Sequence, residues 1–196
     1  MAQRSRVPSV WRSRLMPMLK VPIGASGQTL VFSRRVLKLF EDCRQTAPGV
    51  PEAGGQLFAK LAGNQIRIQQ ATGPRPSDER GRAHFVPDRL AEQGEIARMH
   101  KDGLHYIGDW HSHPDEYPSP STTDIRSIRE CVLRSRHELN GFVMVVVGTG
   151  PVPQSLHISI HDGSIHSVLK SSEAERRETK VPLRKRVLTK LLRKLD

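Results

Sequence analysis

Cysteine is almost missing from this chain: Cys43 and Cys131 are the only two in 196 residues. Two isolated thiols cannot form a thiolate metal cage, and a reducing cytosol keeps such pairs unbridged. Both fall on apolar faces of predicted helices, so buried structural cysteines are expected. Long apolar runs are absent too. The run Phe142 to Val147 is far short of the roughly 20 residues that span a bilayer, which leaves no transmembrane segment to expect. The N-terminus has neither the apolar stretch nor the small-residue cleavage site of a secretory leader, so a cytoplasmic location is expected. Aromatic residues make up 5% of the chain and hydrophobic residues 36%. That composition and length suit one soluble α/β or α+β domain with a sizeable core.

Acidic residues are scarce at the two ends. Residues 1–20 hold five basic side chains and no acidic one, and residues 176–196 hold nine basic and two acidic. The net charge of +11 therefore belongs to the tails, since 21–175 carry 17 basic and 18 acidic residues. A neutral body argues against a nucleic-acid-binding domain. Basic tails act as solvated arms or hold an anionic partner.

The pattern along the chain is that of one mixed α/β domain without internal repeats. A basic arm (1–20) precedes the domain (21–172), and a basic helical tail (173–196) follows it. Thr29 to Phe32 reads as a strand, and Ser33 as the N-cap of a helix carrying Val36, Leu37, Leu39, Phe40 and Cys43. A hairpin follows, from Gly55 to Lys60 and back through Ile66 and Ile68 around Gly63-Asn64. Residues 73–84 read as a long polar loop. Pro87 at a helix N1 position opens a helix with Leu90, Ile96 and Met99, ending near residue 101. Leu104 to His113 is a strand ended by Pro114, and Ser121 starts a helix with Ile125, Ile128, Cys131 and Val132 buried. Gly141 to Gly148 suits a central strand, and 155–161 with 164–169 a hairpin around Asp162-Gly163. In the tail, leucines and Val187 share one face of a helix from Leu183 to Leu195.

The chemistry sits in two short segments. In His111-Ser112-His113-Pro114 the imidazoles occupy i and i+2 of a strand, project from one face and can meet at one ion. Alone, such a pair is weak evidence. Ser121-Thr122-Thr123-Asp124, seen alone, is a helix capping box, with Asp favoured at the positive helix end. Together the segments supply two imidazoles and a carboxylate. Three protein ligands leave a fourth position open, which is the catalytic arrangement of zinc rather than the structural one. Trp110 and Ser112 point to the opposite face. Asp109, at an even offset from both histidines, is placed to support an imidazole. The loops 73–84 and 114–120 are expected to flank the cleft.

His111, His113, Ser121 and Asp124, with Pro114 after the second His, resemble the signature of the JAMM (JAB1/MPN/Mov34) metallopeptidases. That family also has a glutamate before a Gly-x-Leu strand, and Glu52-Ala53-Gly54-Gly55-Gln56-Leu57 fits it. Glu41, mid-helix, is the less suitable upstream carboxylate. The resemblance spans residues 28–170 and implies a single-domain α/β fold, JAMM/MPN-like (cytidine-deaminase-like), with a mixed β-sheet flanked by helices. It implies Zn2+ on His111, His113 and Asp124, Glu52 as general base and acid, and Ser121 as a donor to the oxyanion. It further implies hydrolysis of the peptide or isopeptide bond after the C-terminal residue of a ubiquitin-like modifier or conjugated protein. Tyr106-Ile107-Gly108-Asp109-Trp110 leading into His111 looks most like the bacterial deconjugating peptidases found beside E1- and E2-like enzymes in antiphage defence operons. E1/E2-like conjugation proteins are therefore the partners implied, and nucleic acid is not required. The alternatives are a peptidase processing the precursor of a sulfur-carrier or phage-type protein, and a non-catalytic MPN scaffold or nucleic-acid-binding module using the basic tails.

Overall fold

The apolar run Phe142–Val147 sits where its composition demands. All six residues are buried in the middle of a sheet that has α1 against part of one face and α3 against the other. In the computed structural model, which describes residues 18–170, the strands in chain order are β1 (Leu19–Pro22), β2 (Thr29–Phe32), β3 (Gly54–Ala62), β4 (Gln65–Ala71), β5 (Glu79–Gly81), β6 (His84–Val86), β7 (His105–Ser112), β8 (Phe142–Val147), β9 (Leu156–His161) and β10 (His166–Leu169). The helices are α1 (Arg34–Asp42), α2 (Arg89–Lys101) and α3 (Thr122–Arg134). Eight strands form one sheet in the order β1-β2-β4-β3-β7-β8-β9-β10, and β5 and β6 form a separate hairpin. The β2/β4 and β7/β8 pairs are parallel and the other pairs antiparallel, so the sheet is mixed, as expected.

The two faces bury different halves of each strand, following the period-2 alternation of side chains. Val143, Val145 and Val147 join Val36, Leu37 and Phe40 of α1 and Trp110 on one side. Phe142 and Met144 face Ile128 and Val132 of α3 on the other, and Phe58 packs against Met99 of α2. The capping signals act as read. The Ser33 side chain accepts from the Val36 N–H, and Ser121 with Asp124 forms a complete capping box. Both cysteines are free and half-buried.

Three readings need correction. Pro87 is not at N1: Asp88 is the N-cap of α2, its side chain accepting from the Leu90 and Ala91 N–H groups, and Leu90 is 85% exposed. The segment 73–84 is not simply a loop, because 79–81 pairs with 84–86. β1 was not among the expected strands, and it takes Leu19 and Lys20 out of the expected arm. The rest of that arm and the tail 173–196 with its helix lie outside the described residues.

Candidate metal centre and its cleft

β7 ends where β3 begins, and this pairing builds the site. Gly54 stands opposite His111 in the antiparallel ladder, which sets Glu52 beside the histidine pair. Ser112, on the opposite face as expected, is fully buried and ties the segments together. Its N–H donates to the Ala53 carbonyl at 2.8 Å, and its Oγ accepts from the Ala53 N–H at 3.0 Å. The Ser112 hydroxyl donates in turn to Gln45 at 3.3 Å, and the Gln45 amide donates to the carbonyls of Val50 and Arg82. Arg80 donates to the Glu52 carbonyl at 2.6 Å, and the Glu52 N–H donates to Gly81 at 2.8 Å. The backbone of the candidate base is thus held by two hydrogen bonds from the β5–β6 hairpin, and that of its neighbour Ala53 by two from Ser112. Sequence reasoning missed Gln45 and Arg80, because a polar residue outside any periodic apolar pattern gives no signal of burial until its distant partners are placed. We expect Ser112→Ala to leave the buried Ala53 N–H without its partner, which costs about 1–3 kcal/mol. Chemical denaturation, measured with turnover, checks this.

The two glycines before Leu57 have a steric reason. A Cβ at Gly55 would stand 1.9 Å from the Thr72 carbonyl oxygen, and one at Gly54 would stand 2.6 Å from the Phe85 ring. Strand β3 therefore enters the site directly beneath the 72–73 segment and the β5–β6 hairpin.

The Nε2 atoms of His111 and His113 stand 3.1 Å apart, and Asp124 Oδ2 lies 3.4 Å and 3.5 Å from them. Ligands held at about 2.0–2.1 Å in a tetrahedron are separated by about 3.3–3.4 Å, so these spacings match three corners of a zinc tetrahedron. The donor set fits the ion that the family implies. Asp124 reaches this position because it is N3 of α3, where its Oδ2 also accepts from the Ser121 N–H at 2.6 Å. Burial alone would raise its carboxyl, but hydrogen bonds from His111, His113 and Ser121 hold it well below the usual carboxylate range. The hydrogen bond with Asp124 raises His113 against the opposing effect of burial.

Glu52 is 7% exposed and faces the same cleft. Burial pushes its carboxyl up, His113 and His111 oppose that, and Asp124 adds to it. The cleft has a volume of about 570 Å³. One wall carries Ala83 and His84, the end of the expected 73–84 segment, with Phe85 and Val86 beyond it, and the other carries Pro114 and Asp115 of the expected 114–120 segment. Asp109 is on the floor of the cleft but does not support an imidazole. Its carboxylate accepts from the Tyr106 hydroxyl at 2.9 Å, and burial, reinforced by Glu92, pushes it up to about 7.

Ser121 can serve two purposes at once. Its Oγ accepts from the Asp124 N–H at 3.1 Å, which uses a lone pair and leaves the hydroxyl proton for another acceptor. Glycine is nearly as good an N-cap, so Ser121→Gly costs only a few tenths of a kcal/mol in stability. If the hydroxyl contacts the reacting carbonyl, the same variant should lose about 10²–10³-fold in kcat. Unchanged kcat, with only that small loss of stability, would leave Ser121 as a cap alone.

A mixed-sheet α/β domain with a His-His-Asp triad beside a buried glutamate fits the class of metal-dependent hydrolases. The family described as prokaryotic homologs of the JAB domain matches residues 36–159, and the chain belongs to it, within the JAMM/MPN family. It is 30% identical over 138 residues to the "CD-NTase/cGAS isopeptidase" of Pseudomonas aeruginosa (strain BWHPSA011 / Pa011), covering 69% of this chain and 84% of that one. The protein of the same description from Enterobacter hormaechei subsp. hoffmannii (strain UCI 50) is 30% identical over 131 residues, 65% of this chain and 71% of that one. A "Probable metalloprotease" of Sinorhizobium fredii is 38% identical over 76 residues, 37% of this chain and 46% of that one. Among solved structures, the solution structure of protein DSY2949 from Desulfitobacterium hafniense superposes with a TM-score of 0.50 at 19% identity. That match covers 71% of this chain and 87% of that one, and it bears on the fold alone. These relationships make the chain a JAB-type peptidase. No helix among the described residues is long and apolar enough to cross a membrane.

Proposed function

We propose that this chain is a zinc-dependent isopeptidase that cuts after the C-terminal residue of a ubiquitin-like modifier or conjugated protein. The observation that carries the reading is the convergence of His111, His113 and Asp124 at 3.1–3.5 Å beside the buried carboxyl of Glu52. His111, His113 and Asp124 would hold the ion. When bound, zinc supplies a Lewis acid and an acidified water at neutral pH. The chain's own residues do the rest. Glu52 removes a proton from the attacking water and returns it to the leaving amine, without which an amide does not depart. Ser121 donates to the oxyanion as the carbonyl becomes tetrahedral. The hairpin and the 114–120 segment confine the scissile bond between them and limit the access of bulk water.

The names of the relatives point to a protein conjugate as the substrate; that E1/E2-like enzymes make it is part of this reading. The test is cleavage of two substrate sets, followed by intact mass: ubiquitin-like proteins joined to lysine, and the same proteins with a C-terminal extension. Release of an unmodified C-terminus from the lysine conjugates, lost on chelation, supports deconjugation. Cleavage of the extensions alone would make this a precursor-processing peptidase.

A further inference from the structure

The sheet face opposite the cleft is only half covered. Helix α1 has nine residues and shields Phe32 and Trp110. Beyond it the same face opens into a groove of about 890 Å³. Its floor is apolar and takes one residue from each of six neighbouring strands: Ile66, Leu61, Ile107, Val143, Ile160 and Leu169. Leu61 is 45% exposed there. Six adjacent strands span about 24 Å at the usual inter-strand spacing. The rim carries the carboxylates of Glu138 and Asp162.

The chain itself arrives at this groove. Lys170, the last described residue, lines it, and 26 residues follow. Within them Leu183, Val187, Leu188, Leu191, Leu192 and Leu195 recur at the spacing of one helical face, with six Lys and Arg between them. A helix over 183–195 would be about 20 Å long, close to the width of the groove. Residues 171–182 are long enough to turn the chain back. We propose that residues 183–195 form an amphipathic helix lying across this groove. Its apolar face covers the six-strand floor and its basic face meets Glu138 and Asp162. Tethering favours the chain's own segment over a second copy, because a short linker raises the effective concentration to about millimolar. The cleft, on the other face, stays open.

The test uses the full chain. Zero-length carbodiimide coupling, mapped by mass spectrometry, should join Glu138 to a lysine between 185 and 194 in the monomer. Amides of β9 and β10 should exchange roughly tenfold faster in Leu188→Asp/Leu191→Asp than in wild type, with sedimentation showing monomers throughout. Leu61→Asp, at an exposed position, should speed exchange of the 183–195 amides even if the double variant does not fold. Unprotected 183–195 amides in wild type would overturn the proposal. Crosslinks confined to a dimer would overturn it too, assigning the groove to a second copy.

Discussion

Glu52→Gln should lower the rate of bond cleavage by about 10³–10⁴-fold while the fold and metal content stay as in wild type. Glutamine keeps the volume and planar shape of the carboxylate but can neither take nor return a proton. The position tolerates this exchange because it is the Glu52 backbone that is anchored, by Arg80, Gly81 and the neighbouring Ala53–Ser112 pair. Binding of an uncleaved conjugate should survive, so kcat falls and KM does not. Equal loss in Glu41→Gln would move the base elsewhere. Glu41 already accepts from the Val152 N–H at 2.9 Å and pairs with Arg44, which marks it as a structural carboxylate. Only modest loss in Glu52→Gln would remove Glu52 from the proton path.

The parts of this site that lie close together in sequence could be read from it. His-x-His on a strand and Ser-x-x-Asp at a helix start each carry local geometry, and the strand and helix they specify are β7 and α3. The buried run of β8 and the Gly63-Asn64 hairpin were equally legible, because their periodicity and turn chemistry are local. What escaped depends on distant partners. The β5–β6 hairpin has three-residue strands without an apolar period, and it is fixed by contacts to Glu52 and Gln45 across about 30 residues of chain. Asp109 looked placed for an imidazole by parity, yet its oxygen accepts from the Tyr106 hydroxyl. Pro87 reads as the helix start, but the Asp88 carboxylate bonds two backbone N–H groups and caps α2 one residue later.

Asp124→Asn should sharply weaken zinc binding while preserving helix α3. The asparagine carbonyl can still accept from the Ser121 N–H, so the cap survives. What goes is the anionic oxygen 3.4 Å and 3.5 Å from the two imidazoles. Loss of groups that merely orient ligands costs 10–100-fold in metal affinity, so removing a ligating charge should cost more than about a hundredfold. The readout need not be activity. A ligand at a thousand times its Kd stabilises the folded state by about 4 kcal/mol. In a chain of this size each kcal/mol moves Tm by about 2–4 °C. Zinc should therefore raise the Tm of the wild type by about 8–16 °C and that of Asp124→Asn by no more than about 3–6 °C, with metal content by mass spectrometry following the same order. His111→Ala and His113→Ala should behave alike, because each removes one corner of the same triad. A zinc-induced shift that persists at full size in all three variants would place the ion elsewhere. The proton path through Glu52 would then have no metal beside it.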